Sequence, residues 1–254
     1  MRLLPPRSLS EYVAHFWSVR WALDEPRLAE TLPHPTFHMV FESSTEARGR
    51  GEVAGVPRGR FSRTLQGAGW VFGVKFRPAM FEPLLGASAS TLTGRVVPID
   101  SIFGEVGSGL SLAMCDAQKF EVRAKLVENF LVPRLRQFPA ASTSTNRRVR
   151  DLVERMATDR SLLRVESAAE LLETDPRTLQ RHFRRYVGVS PKWVILRYRL
   201  HEAAERLKGP NPPSLAALAA ELGYADQAHF ARDFRKWVGQ PPSEFASPRA
   251  PYVR

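Results

Sequence analysis

GYADQAHFARDFRKWVGQPPSEF, residues 223–245, decides how the C-terminal half of the chain folds. Its first three residues form a turn signal, and Asp226 follows them at a position that suits a helix N-cap. Phe230 and Phe234 stand four residues apart, as expected of the buried face of an amphipathic helix. Gly239 then supplies the residue type that most often ends a helix. The stretch predicts a tight turn followed by one capped helix.

A second copy of this pattern lies 51 residues earlier in the chain. Residues 179–188 (LQRHFRRYVG) align with residues 230–239 (FARDFRKWVG), and Pro191 corresponds to Pro242. Asp175 provides the N-cap of this earlier copy. Because each copy follows a short segment with helical apolar periodicity, each unit is predicted to be a helix, a turn and a capped helix. The sequence therefore predicts two helix-turn-helix units.

The segment between the two copies is predicted to be one long helix. It begins at Ser190-Pro191, a cap followed by a proline at the first helical position, and extends to about residue 208. At about 1.5 Å per residue this helix spans about 27 Å. A rigid connector of that length could hold two helices near one turn of DNA apart, roughly 34 Å.

The predicted outer faces of the two capped helices, about residues 176–187 and 226–238, are rich in groups that recognise DNA. Arginine can form two hydrogen bonds with a guanine edge, glutamine can do the same with adenine, and the amides of a helix N-terminus can hold a phosphate. In the first helix the candidate contact residues are Arg177, Thr178, Gln180, Arg181 and Arg184. In the second helix they are Gln227, His229, Arg232, Arg235 and Lys236. Each is a candidate for base contact, phosphate contact or ordinary solvation.

The net charge agrees with a polyanionic partner. The chain carries 37 Lys and Arg against 26 Asp and Glu, a formal net charge of +11 at pH 7. Residues 146–254 hold 20 basic and 13 acidic residues, whereas residues 1–145 hold 17 and 13. The excess is concentrated in the part that carries the repeat, which favours nucleic acid. Because arginine greatly outnumbers lysine, an arginine-rich proteome is an alternative source of the high charge.

Residues 146–249 closely resemble the DNA-binding domain of AraC/XylS-type bacterial transcription regulators. The segments that carry the resemblance are residues 175–191 and 223–245. One departure is Glu173-Thr174, where a glycine commonly sits in the first turn. The resemblance implies sequence-specific binding of double-stranded promoter or operator DNA by two helices in successive major grooves. For an activator it also implies contact with RNA polymerase.

The first helix-turn-helix unit usually contributes more of the base contacts in that family. The residues favoured for base readout on this ground are Arg177, Gln180, Arg181 and Arg184.

The whole chain is predicted to belong to the α+β class. A small β-sheet or barrel module with helices comes first, and an all-α domain follows, with two helix-turn-helix units joined by a long helix. The predicted boundaries are 1–137 for the first domain, 138–147 for a linker and 148–249 for the second domain. Alternating apolar residues and helical stripes give the elements of the first domain: strands in 11–21, 36–42 and 70–77, and helices at 99–114 and 116–137. The apolar stripe over residues 120–135 either packs on the sheet or forms a dimer interface.

The first domain is expected to have a regulatory role. Residues 32–35, 37–42 and 72–78 are similar to an uncharacterised domain found fused to AraC-type domains, mostly in actinobacteria. In the wider family the N-terminal domain senses a small effector or forms a homodimer. Candidate residues for an apolar effector pocket are Trp17, Trp21, His38, Trp70 and Phe72. The alternative is a protein-interaction module without a small-molecule site.

Enzymatic and metal-binding functions find little support. The sequence has no glycine-rich phosphate loop, Ser-His-Asp motif or zinc-ligand spacing, so neither catalysis nor a cofactor is expected. Alkyl-transfer DNA repair proteins carry a similar C-terminal domain but need several reactive cysteines, and Cys115 is the only cysteine here. His34, His38 and Glu42 share a strand face by parity. A proline interrupts the strand and no fourth ligand is evident, so no metal site is expected.

Membrane insertion and export are not expected either. The longest apolar runs are short and broken by charges, and the first residues lack the apolar stretch of a signal peptide. A cytoplasmic protein that does not contact a membrane is the expectation.

Overall fold

The computed structural model describes residues 1–32, 34–45, 49–139 and 143–245. The strands within these ranges are β1 Arg2–Leu3, β2 Val13–Thr31, β3 His38–Ser44, β4 Arg50–Ala54, β5 Phe61–Phe76 and β6 Val96–Pro98. The helices of the first domain are α1 Glu82–Leu85, a 3-10 turn at Ala89–Leu92, α2 Asp100–Phe103, α3 Glu105–Asp116 and α4 Phe120–Leu135. The helices that follow are α5 Ser144–Thr158, α6 Val165–Leu171, α7 Pro176–His182, α8 Pro191–Leu207, α9 Leu215–Glu221, α10 Gln227–Val238 and α11 Pro242–Phe245. This division into a strand region and a helical region confirms the predicted α+β class.

The strands form one antiparallel sheet in the order β1-β2-β5-β3-β4-β6. Strands β2 and β5 are longer than predicted, and their far ends form a two-stranded ribbon that reaches the pair Thr31 and Phe61. Strand β3 pairs with β5 only up to Gly69, so the ribbon extends beyond the rest of the sheet. The sequence pattern missed this extension because residues 24–28 are exposed and therefore lack apolar alternation.

One face of the sheet is covered by helix α4. Phe16 stacks on Phe72 with ring centroids 5.9 Å apart, and Phe72 meets Phe120 of α4 at 5.3 Å. The members of the apolar stripe of α4 are buried: Phe120, Ala124, Val127, Leu131 and Leu135. Of the two roles considered for the stripe, packing on its own sheet is therefore the one observed.

Two helices differ from their predicted bounds. The helix expected at 99–114 is two helices, because Gly104 adopts φ 61° and ψ −150° and interrupts the turns. Helix α5 begins at Ser144, within the range expected for the linker at 138–147, and Asn146 already lies in its first turn, 1% exposed. The Asn146 side-chain amide donates to the carbonyl oxygen of Ala79 at 3.0 Å, which fixes the start of α5 against the first domain. Residues 140–142 of the predicted linker lie outside the described residues.

The apolar core extends across the boundary between the two domains. One apolar cluster runs from the sheet through α4 and α5 into α7, and a second cluster surrounds α9 and α10. Leu32, next to the end of the β2–β5 ribbon, belongs to the second cluster. No helix in the described part of the chain is both long and apolar enough to cross a bilayer.

Candidate nucleic-acid interface

The first helix-turn-helix unit consists of α6, a turn and the first capped helix, residues 176–187. This helix is α-helical as far as His182 and finishes with a π-helical turn over Phe183–Val187. The Thr178 amide donates to Asp175 Oδ1 at 2.9 Å, so Asp175 is the N-cap that the sequence predicted. This hydrogen bond lowers the pKa of the Asp175 carboxyl. Gly188 ends the helix with φ 97°.

The second unit repeats this construction with α9 and the second capped helix, which is α10. The His229 amide donates to Asp226 Oδ1 at 2.7 Å, and Gly239 ends the helix with φ 93°. Phe230 and Phe234 are fully buried, as predicted. The alignment by 51 residues therefore holds for the caps, the buried faces and the terminating glycines.

The turns of the two units differ in length by one residue and in the residue type at their left-handed position. The amides of Glu173 and Gly223 each donate to the carbonyl three residues earlier, so these two residues occupy equivalent places. Gly223 has φ 74°, and Glu173 has φ 54°, a left-handed conformation that strains a residue with a side chain. The first turn thus reaches the same left-handed conformation at the expense of backbone strain. It is also one residue shorter, because only Thr174 separates Glu173 from the N-cap, whereas two residues separate Gly223 from Asp226.

The predicted contact residues lie on the outer faces of both capped helices. All are exposed apart from Thr178, which is half-buried: Arg177, Gln180, Arg181, Arg184, Gln227, His229, Arg232, Arg235 and Lys236. Within the described ranges, none of the arginines or the lysine in this set forms an ion pair with an Asp or Glu. By contrast, the neighbouring Arg185 pairs with Glu82 of the first domain at 3.1 Å. The outer faces therefore carry positive charge that no neighbouring carboxylate neutralises.

The equivalent faces are chemically unequal. Arg181 and Arg184 correspond to Arg232 and Arg235 under the 51-residue offset. Arg177 and Gln180, however, correspond to Ala228 and Ala231. Because alanine offers only a methyl group, the second helix can contact a thymine methyl at these positions but cannot donate hydrogen bonds.

His229 is engaged within its own helix-turn-helix unit. Its ring meets the Tyr224 ring edge-on at 5.2 Å, and its Nε2 lies 3.7 Å from Asp233 Oδ2. Its side chain remains about half exposed. It is therefore less free to reach a base edge than the arginines around it.

The five residues proposed for an effector pocket lie on two faces of the sheet. Phe72 and Trp70 point towards α4, where the Arg123 guanidinium carbon lies 3.3 Å from the Trp70 ring centroid. Trp17 and Trp21 cover the opposite face, lying over the backbone of Gly73 and Gly69. His38 is on that face too, with its ring 6.3 Å from the Trp17 ring. The structure therefore does not bring these five residues together in one pocket.

The face that carries Trp17 also holds a row of basic groups. Lys75 of β5 is the register partner of both His15 on β2 and His38 on β3. Burial lowers the pKa of His38 to about 3, that of His15 to about 4 and that of Lys75 to about 8, with neighbouring positive charges adding to each shift. The neutral histidines thus relieve the repulsion that three like charges in adjacent strands would create. Among the described residues, no three His, Cys, Asp or Glu side chains group as a metal ion would require.

Comparisons with known proteins identify the two parts of the chain separately. Residues 168–247 match a family described as a helix-turn-helix domain, and residues 1–98 match a domain of unknown function (DUF6597). An uncharacterized HTH-type transcriptional regulator of Haemophilus influenzae is 33% identical over 81 residues, which are 32% of this chain and 27% of the relative. The HTH-type transcriptional activator RhaS of Pectobacterium carotovorum is 34% identical over 76 residues, 30% of this chain and 27% of the relative. Residues 168–247 form an AraC-type helix-turn-helix domain.

The resemblance found in the sequence is thereby confirmed for both parts of the chain. The matches to these two curated relatives cover about a third of this chain, and the chain spans about a quarter of their length. A solved structure of a probable AraC family transcriptional regulator from Rhodopseudomonas palustris is 31% identical, with a TM-score of 0.36. That similarity covers 41% of this chain and 97% of the solved one.

Within the AraC-type domain, α8 joins the two units. It has 17 residues and therefore spans about 25 Å. The Trp193 ring near its start meets the Trp237 ring of α10 edge-on at 5.2 Å. Arg197 at its centre is fully buried, and its Nη2 lies 2.6 Å from His201 Nε2.

Sequence reasoning missed the residues through which the first domain contacts the AraC-type domain. Thr93 donates to the Gly188 carbonyl oxygen at 2.6 Å, and Arg60 donates to the Val238 carbonyl oxygen at 3.3 Å. Neither residue belongs to a motif or a periodic pattern, so no local signal could have found it.

Proposed function

We propose that the protein is a sequence-specific DNA-binding transcription regulator that inserts its two capped helices into successive major grooves. The observation that carries this proposal is the repeated geometry of the two helices, each with a formed N-cap and an outer face of unneutralised arginines. Such a face matches the phosphate backbone, and the arginines have the donor geometry that guanine requires. The names of the curated relatives, which include transcriptional activators, support the same function.

The two helices are proposed to divide the task of recognition. The first capped helix carries Arg177, Gln180, Arg181 and Arg184 at helical spacing, which makes it the principal reader of base edges. The second contributes Arg232 and Arg235, with the methyl groups of Ala228 and Ala231 on the preceding turn of the same helix. The remaining candidates, Thr178, Gln227, His229 and Lys236, would hold phosphates and set the orientation on the duplex.

The first domain is proposed to adjust DNA occupancy. The AraC-type domain packs against the first domain, because the apolar core of the first domain continues into α7. Ser88 adds a hydrogen bond from its hydroxyl to the Arg184 carbonyl oxygen at 3.1 Å. A change of packing in the first domain, caused by an effector or a partner, would therefore reach the first capped helix directly.

Replacement of Arg181 by alanine tests the proposed function. Loss of a bidentate contact with one base is expected to weaken binding to the preferred site by about 1–3 kcal/mol and to relax the choice at one base pair. The measurement is selection from a random DNA library with the wild-type and variant proteins, followed by titration of the recovered site.

Arg136→Ala is the matched control, because Arg136 is an exposed arginine at the end of α4 in the first domain. This variant removes the same charge and should keep both affinity and preference. Equal weakening of Arg181→Ala on every sequence would show that Arg181 contacts phosphate. Failure of the wild-type protein to enrich any sequence would contradict the proposed function.

A further inference from the structure

Residues of the first domain contact the C-terminal end of the first capped helix. The Thr93 hydroxyl donates to the Gly188 carbonyl oxygen at 2.6 Å, and the Ser88 hydroxyl donates to the Arg184 carbonyl oxygen at 3.1 Å. A Cβ atom at Gly188 would stand 2.8 Å from Thr93 Oγ1, so the approach depends on glycine. The last carbonyl groups of a helix have no partner within the helix, and here the first domain supplies one.

A different part of the first domain contacts the same end of the second capped helix. Arg60 Nη1 donates to the Val238 carbonyl oxygen at 3.3 Å and pairs with Glu30 Oε2 at 2.8 Å. A Cβ atom at Gly239 would stand only 2.3 Å from Arg60 Nη1. A positive charge at a helix C-terminus also interacts favourably with the helix dipole.

The two contacts are made at the same end of the repeated helix, to carbonyl groups one residue apart under the 51-residue offset, but they arise from distant places in the first domain. Gly188 and Gly239 are related by the 51-residue offset, and each closes a capped helix. Thr93 follows the 3-10 turn between β5 and β6, whereas Arg60 lies at the far end of the β2–β5 ribbon. We call this arrangement the double contact.

The ribbon also contributes to the core of the second unit. Leu32 is 5% exposed and belongs to the apolar cluster that contains Phe234 and Leu200. The second unit is thus attached to the rest of the protein along two routes. One route is α8, which leads back to the first unit, and the other is the ribbon of the first domain.

We infer that Arg60 and Thr93 are positioning residues that fix the separation and the rotational phase of the two capped helices, an inference that rests on the proposed function. Without the ribbon contact, α8 and its packing alone would hold the second helix relative to the first. The first domain thereby sets the half-site spacing that the protein selects. One base pair of added spacing moves a half-site by about 3.4 Å and rotates it by about 35°, so modest freedom of the second helix relaxes the selection.

The experiment compares full-length wild-type protein with Arg60→Ala. The probes are the DNA site that the wild type selects from a random library and two derivatives, with one base pair inserted or deleted between the half-sites. The measured quantity is the ratio of the dissociation constants on altered and selected spacing. Arg27→Ala is the matched control, because Arg27 is an exposed arginine on the same ribbon and its loss changes the charge equally.

For Arg60→Ala, the spacing ratio is expected to fall by about 3- to 10-fold relative to the wild type, the size of effect that mutations at coupled positions produce. Arg27→Ala should keep the wild-type ratio, and Arg60→Lys should restore part of it because lysine can still donate to the Val238 carbonyl. An unchanged ratio for Arg60→Ala, or equal weakening on all three DNAs, would overturn the inference. Absence of sequence-specific binding by the wild type would instead count against the proposed function.

Thr93→Val provides a second variant should Arg60→Ala fail to fold. It removes the hydroxyl donor to Gly188 while keeping the side-chain volume close to that of threonine. A lowered spacing ratio supports the inference. A lowered melting temperature with the ratio intact would show that the double contact serves stability alone, which overturns it.

Discussion

At the scale of single residues, the turns of the two helix-turn-helix units place different residue types in the same left-handed backbone conformation. Glu173 takes the left-handed conformation that Gly223 takes in the second unit. Its ion-pair partner among the described residues is Arg148 at 3.7 Å, and the Glu173 side chain is 89% exposed, so that pair contributes little to stability. The strain at Glu173 is therefore not offset by its own contacts.

Glu173→Gly is expected to stabilise the protein by about 0.5–1 kcal/mol, because relief of left-handed strain exceeds the added entropy of the unfolded chain. Urea denaturation of the two proteins measures the difference. Glu173→Ala is the control, since alanine loses the ion pair but keeps the strain. The strain argument fails if the glycine variant is no more stable than the alanine variant.

Single residues also mark where sequence reasoning had no signal. The pattern of α4 identified its buried stripe correctly, yet Arg123 in the same helix is 2% exposed. Its Nε donates to the Met114 carbonyl oxygen at 3.1 Å, and its guanidinium stacks on Trp70, with the pKa lowered to about 10 by burial. An arginine is ordinarily assigned to the surface, and only the packing of α4 on the sheet shows that this one is enclosed.

At the scale of elements, the helical ends of the AraC-type domain were predictable one by one. The caps at Asp175, Ser190, Ser214 and Asp226 each accept a hydrogen bond from an amide three residues later. Such bonds close within one turn, so the local sequence suffices to predict them. The π-helical turn that ends the first capped helix has no such local signature.

Asp226→Ala is expected to destabilise the protein by about 1 kcal/mol, because the second capped helix loses the acceptor for its His229 amide. Asp226→Asn should retain nearly full stability, since asparagine caps equally well. The free energy of unfolding in urea distinguishes the two variants. Equal losses for alanine and asparagine would point to the charge of Asp226 as the cause, and no loss for alanine would show that the cap is dispensable.

The β2–β5 ribbon is the element that the sequence described least well. Strand β2 was expected at residues 11–21, but it continues to Thr31 past an irregularity between Leu23 and Arg27. Residues 24–28 of the extension are exposed and rich in charge, so they carry neither alternation nor an apolar run. This stretch is a strand because it pairs with β5, and that pairing forms only in the folded protein.

At the scale of the whole molecule, the two domains share contacts along their length. An open polar cleft of about 350 Å³ lies between them, lined by Ser10, Glu11, Arg77, Arg147, Arg150 and Glu154. Across it Arg77 pairs with Glu154 at 2.6 Å, and Arg147 pairs with Glu11. None of the five residues considered for an effector pocket lines this cleft.

Acidification from pH 7 to pH 5 is expected to lower stability, because His38 is partly buried beside Lys75 and His15. Its pKa is about 3 in the folded protein, whereas an imidazole in the unfolded chain has a pKa near 6.5. The unfolded chain therefore binds more protons between these values, so stability is complete above pH 7 and falls as the pH drops below 6.5. The cost from His38 is on the order of 1–2 kcal/mol at pH 5.

Urea denaturation at pH 7 and pH 5 measures this effect, and His38→Gln isolates it from other titrating groups. The variant should lose less stability on acidification than the wild type. Identical pH dependence for the two proteins would show that His38 does not remain neutral through burial.

The sequence by itself determined the two helix-turn-helix units, their caps and terminating glycines, and the residues on their outer faces. These features arise from hydrogen bonds and periodicities that span only a few residues. Tertiary structure alone decided that Trp17 and Trp70 occupy opposite faces of the sheet and that the first domain contacts the ends of both capped helices. The physical reason is separation along the chain, since Thr93 and Gly188 are 95 residues apart and Arg60 and Val238 are 178 apart. No local pattern encodes such contacts, because they form only when sheet, ribbon and helices pack together.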